Sequence, residues 1–120
     1  MFQTYQYSEK WYMGDPLENC NTVCKKHGIV CSEKEFQSHI NEVDSSEDVL
    51  SLIDDLGGIT SDKSCSRGYM PAHPLFNNER CFYGPETISK FKCNTVPIPK
   101  KKLNQRLCYC HKSKGTKLKF

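Results

Sequence analysis

The sequence predicts a small disulfide-rich α+β domain, with short helices in its first half riveted to a small irregular antiparallel sheet in its second. Three observations predict it. Cys20 and Cys24 stand four apart, one turn apart on one face of a helix, while Cys108 and Cys110 stand two apart, on one side of a strand. Two disulfides can therefore join that helix to that strand. Eight cysteines accompany a hydrophobic content of only 37% in 120 residues, a lean core of the kind that small secreted domains reinforce covalently. Helical periodicity ends at Gly57-Gly58, and turn residues with short apolar runs follow it.

Residues 1–10 read as an extended arm with Phe2, Tyr5 and Tyr7 out of any clean period, leading to the single tryptophan, Trp11, as a core anchor. Residues 11–111 form one disulfide-rich domain and residues 112–120 a flexible basic tail. Gly14-Asp15-Pro16 marks a turn. Asn19 or Asn21 caps a helix that runs to His27, with Gly28 just past its end. Ser32 and Glu35 form a capping box for a second helix, whose stripe is Phe36, Ile40 and Val43. Ser45 or Ser46 caps a third, with Val49, Leu52, Ile53 and Leu56 inward, acids outward, and Gly57-Gly58 as its stop.

Residues 61–80 read as loop. Cys81-Phe82-Tyr83 reads as a short strand, Ile88 to Cys93 as another, and Leu107 to His111 as the closing strand. Val96-Pro97-Ile98-Pro99 is extended but is no central strand, because proline lacks the donor.

The cysteine spacings are irregular, with no C-x2-C knuckle and no paired histidines, so disulfides are favoured over zinc. That places the chain in the secretory pathway, secreted or at the cell surface. No apolar leader and no membrane-long apolar run is visible, which suggests an excised domain or a mature region with an added Met1.

The net charge of +3 hides an asymmetry. Residues 32–62 carry nine acids against one base, Lys34, and residues 90–120 carry ten bases and no acid. The plain reading is two solvated faces. The functional reading makes Lys100, Lys101, Lys102, Lys112, Lys114, Lys117 and Lys119 contacts for another protein with an acidic surface, or for an anionic glycan. Tyr69 and Phe76 are candidate aromatic contacts beside them, although core packing is the commoner use of such residues. An extracellular framework argues against nucleic acid.

Taken together, Trp11, Cys20-x3-Cys24-x6-Cys31, Phe36 with Ile40-Asn41, Cys65, Pro74-Leu75-Phe76, Cys81-Phe82-Tyr83, Cys93 and Arg106-Leu107-Cys108-Tyr109-Cys110 resemble a known pattern. It is the cysteine-rich C-terminal module of the α-1,6-mannosylglycoprotein β-1,6-N-acetylglucosaminyltransferases (N-acetylglucosaminyltransferase V), with related modules in secreted and surface proteins of protists. The likeness spans residues 11 to 110. The Cys31–Cys65 and Cys93–Cys108 intervals are longer here, and the catalytic domain of those enzymes is absent. The resemblance implies the pairs Cys20–Cys108, Cys24–Cys110, Cys31–Cys93 and Cys65–Cys81. The first two agree with the helix-and-strand geometry. Closing the Cys20–Cys108 loop alone is worth roughly 4–5 kcal/mol by chain entropy.

No catalytic residue, cofactor or metal site is expected. His27 suits a helix C-terminus. His111 would enter a metal site only beside reduced thiols. His73 has no nucleophile fixed beside it, and a fully paired cysteine set leaves no thiol for a Cys/His hydrolase. The acids of residues 44–55 lack a calcium-loop pattern. The expected function is a non-catalytic extracellular binding module for another protein. The alternative is an accessory domain of a glycosyltransferase in the Golgi lumen.

Overall fold

The computed structural model describes residues 9–68, 71–84, 91–97 and 102–112. Its elements run β1 (Lys10–Met13), α1 (Cys20–Lys26), α2 (Glu33–Ser38), a 3-10 turn (Ile40–Glu42), α3 (Ser46–Asp55), β2 (Ser66–Arg67), β3 (Leu75–Phe76), β4 (Cys81–Tyr83) and β5 (Gln105–Cys110). The fold is α+β, with three α-helices and a five-stranded sheet among the described residues.

Each helix starts on a side-chain cap. The Asn19 side chain accepts from the N–H of Thr22 at 2.8 Å, Ser32 from that of Glu35 at 3.4 Å, and Ser45 from that of Asp48 at 3.2 Å. Lys25 and Lys26 sit in the last turn of α1, where they complement the helix dipole. Gly28 and Gly57 follow α1 and α3 with φ of 75° and 85°, the left-handed stop that glycine adopts without strain. Gly58 answers a different need. A Cβ there would sit 2.7 Å from Phe76 Cζ and 3.0 Å from both Ile53 Cγ2 and Met13 Sδ, so the chain passes too close for a side chain.

The second helix is shorter than its stripe suggests. α2 stops at Ser38, and a tighter turn carries Ile40 and Val43 inward. All three stripe residues are still buried. On α3 the expected stripe divides: Val49 and Ile53 are buried, whereas Leu52 and Leu56 lie half-exposed at the margin of the core. A single helix laid on β4 buries a line of side chains only one or two residues wide.

The strand order is β1-β5-β3-β4-β2. All pairs are antiparallel except β2 with β4, so the sheet is mixed rather than purely antiparallel. β1 begins at Lys10, one residue ahead of the expected domain boundary, and pairs it with Cys110. The closing strand is displaced to Gln105–Cys110, and His111 instead makes an isolated bridge with Val30. The stretch read as loop contains β2 and β3, each two residues long. Of the strand expected at Ile88 to Cys93, residues 88–90 lie outside the described residues. Residues 91–93 are not a strand, although Phe91 and Cys93 are buried.

The four disulfides are Cys20–Cys108, Cys24–Cys110, Cys31–Cys93 and Cys65–Cys81, with Cα separations of 5.5, 5.4, 5.9 and 4.7 Å. These are the pairs that the resemblance implied. The first two fasten α1 to β5 turn by turn. Against that rivet, Trp11 meets Phe36 and Tyr109 edge-on at 5.2 and 5.5 Å, and Phe36 meets Phe91 at 3.9 Å. Edge-to-face contact suits the ring quadrupoles and fills the core between α2 and the β1–β5 pair.

Candidate functional site

Of the seven lysines proposed as partner contacts, Lys100, Lys101, Lys114, Lys117 and Lys119 lie outside the described residues, as does Tyr69. Lys102 is half-exposed and faces Glu79 at 3.8 Å. Asn77 and Asn78 join these two around an open polar pocket of about 280 Å³. Lys112 is exposed, and its main-chain N–H donates to Glu9 at 3.1 Å. Phe76 is a correction. It lies on β3, fully buried between β5 and β4, so it presents nothing to a partner. Its ring fills the space that Gly58 leaves open.

A surface cluster of titratable groups forms where the 3-10 turn meets the β1–β5 pair. His39 lies flat on Tyr109, with ring centroids 3.8 Å apart. Its Nδ1 shares a 2.9 Å hydrogen bond with Oε2 of Glu42, whose Oε1 accepts from the indole N–H of Trp11, also at 2.9 Å. Burial alone would raise the Glu42 carboxyl, but the bonds from His39 and Trp11 outweigh it and hold the group below its ordinary range. The Tyr109 hydroxyl is pushed up by burial first, and then by Glu9, Glu42 and Glu35. Chemically this is a His–Glu pair on an aromatic floor. It has proton-transfer groups, and it holds no free thiol, since every cysteine is in a disulfide.

The remaining histidines hold structural positions. His27 caps α1 and stacks on Tyr12 at 4.1 Å. His73 is buried against Phe82 and precedes a cis peptide bond to Pro74. Burial, and then the charge of Arg106, lower its imidazole to about 4. A Cβ at Gly68 would collide with the His73 imidazole, so that glycine makes room for the ring. Among the described residues no group of three or more His, Cys, Asp or Glu is placed to hold a metal ion.

Sequence reasoning missed Arg106, which is fully buried. Its Nε donates to the carbonyl of Ala72 at 3.1 Å, one Nη to those of Lys92 and Thr95 at 2.7 and 3.1 Å, and the other to that of Pro71 at 3.3 Å. The cation also lies 5.9 Å from the Phe36 ring. Burial lowers its pKa to about 9, with Glu33 opposing, so it remains charged at neutral pH. A signal was present: Arg106, Cys108 and Cys110 are two apart, so the arginine shares a strand face with two buried half-cystines.

No family model matches the chain, and no curated protein matches it.

Four disulfides indicate an extracellular type of disulfide-rich domain, made where thiols are oxidised. Among the described residues no helix is long and apolar enough to cross a membrane.

Proposed function

We propose that this chain is a non-catalytic binding module of a secreted or cell-surface protein, and that it engages another protein. The observation that carries the reading is the commitment of all eight cysteines to disulfides. It leaves no free thiol in the chain and fixes its shape covalently. The charge asymmetry supplies recognition, with an acidic helical half and a basic second half able to steer a partner of opposite sign.

The cysteine pattern supports a second reading through its resemblance to the N-acetylglucosaminyltransferase V module. In that reading the domain accompanies a glycosyltransferase in the Golgi lumen and binds its enzyme or its acceptor glycoprotein.

Chemical cross-linking of the oxidised domain to surface proteins of intact cells of its source and, in parallel, to lumenal proteins of opened Golgi vesicles, followed by peptide mapping, separates the two. Saturable capture of a folded surface protein, lost when the domain is reduced, supports the first reading. Capture only of glycosyltransferases or of their acceptor glycoproteins supports the second. Turnover of any captured partner would overturn both.

A further inference from the structure

The C-terminal end of α3 carries a cleft open to solvent, of about 300 Å³, with a lining that is part apolar and part polar. Leu50 and Ile53 line one side, Gly58, Ile59 and Thr60 the other. Ile59 is 75% exposed, the most exposed of the large aliphatic side chains among the described residues. One exposed isoleucine is ordinary on a protein surface, but its surroundings are not. Asp54 lines the cleft and Asp55 follows it, in the last turn of α3, where no basic residue lies. Two carboxylates there oppose the negative end of the helix dipole. Among the described residues neither makes an ion pair. The arrangement works against the helix and favours a cation from outside. The occupant such a cleft fits is a segment with large apolar side chains among positive charges.

The chain contains one. Residues 113–120 hold Lys114, Lys117 and Lys119 and no acid, and Leu118 and Phe120 alternate with the last two lysines. That composition supplies two apolar side chains for the cleft and lysines for its acidic rim. The wider charges agree, since residues 32–62 are strongly acidic and residues 90–120 strongly basic. We propose that the α3 cleft of one copy receives residues 113–120 of a second copy, in a head-to-tail contact. This does not rest on the function proposed above, because a foreign partner can use another surface.

Complementation tests it. Three proteins are compared by sedimentation velocity at low salt and at about 0.5 M salt, where exposed charges are screened within a few ångströms. They are the full chain, the chain truncated after Lys112, and the full-length double variant Asp54→Lys, Asp55→Lys. The full chain should associate at low salt and dissociate at high salt. Each altered protein alone should stay monomeric. Their mixture should form a complex, because the truncated chain keeps the cleft and the double variant keeps the segment. Circular dichroism and intact disulfides establish that both fold. Ile59→Ser in the truncated chain should weaken the mixed complex about tenfold, as expected for one uncovered aliphatic side chain. A monomeric full chain at low salt, or no complex in the mixture, overturns the proposal. Binding of a synthetic 113–120 peptide by the truncated chain, with the full chain monomeric, would put the segment in its own cleft and overturn the second copy as occupant.

Discussion

The guanidinium of Arg106 meets the main-chain carbonyl of Lys92 at 2.7 Å. The two residues belong to the interior strand β5 and to a loop that Cys93 ties to Cys31. The same side chain holds Pro71 and Ala72 in a second loop. Neither loop has regular secondary structure to satisfy its carbonyls, and one planar cation with five donors serves both. Two further bonds complete the clamp around Cys93, whose N–H donates to the Glu33 carboxylate and whose carbonyl accepts from the N–H of Asn21.

Arg106→Lys should therefore destabilise the oxidised protein by about 2–4 kcal/mol, although it keeps the charge. An ammonium cannot reach carbonyls of two loops in a fixed fork, and the freed acceptors stay buried. Urea denaturation measures it. A loss below about 0.5 kcal/mol would mean that water replaces the guanidinium without cost.

Acid should weaken the fold through His73. Its folded pKa, about 4, lies below the ordinary value of 6.5, so between those values the unfolded chain binds the proton and the folded chain does not. Stability is full above pH 6.5 and falls as pH drops towards 4, by up to about 3 kcal/mol from this group. His73→Gln should lack that component. Denaturation of both proteins at pH 7, 5.5 and 4 isolates it, and parallel pH curves would refute the assignment.

The two sides of α3 should respond differently to truncation. Ile53→Ala empties a fully packed site and should cost about 2–4 kcal/mol. Leu52→Ala removes a side chain only partly buried at the margin of the core and should cost about half as much. Equal losses in urea denaturation would show that Leu52 packs as deeply as its neighbour.

Reduction should begin at Cys31–Cys93. Cys31 is the only half-cystine that is not buried; Cys65 is 6% exposed, and Cys20, Cys24, Cys81, Cys108 and Cys110 are fully buried. A reductant, thiolate or phosphine, must reach a sulfur to cleave the bond. Graded phosphine treatment, alkylation and peptide mapping should label Cys31 and Cys93 ahead of the others. Earlier labelling of Cys24 or Cys110 would show that the α1–β5 rivet opens first.

Much of the local structure was legible because it depends on neighbours in the chain. Asn19, Ser32 and Ser45 cap because each meets an N–H three residues on. The four-residue and two-residue cysteine spacings select a helix and a strand through the pitch of each. Gly28 and Gly57 stop their helices through a backbone preference that needs no partner. The candidate partner contacts were less legible. Lysine density marks a charged surface, but Phe76 shows that an aromatic in a loop-like run can be a core residue.

By itself, then, the sequence determined the fold class, the helix starts and stops, and the pair of cysteine rungs that join α1 to β5. Tertiary structure alone decided which residues of each stripe are covered, where α2 gives way to a tighter turn, and how two-residue strands such as β3 find their neighbours. Two residues carry no period, so only the strands on either side can place them. It also decided the partners of Arg106 and the bond from Trp11 to Glu42, 31 residues away. Such contacts obey distance and hydrogen-bond demand in the folded core, and sequence separation leaves no trace of either.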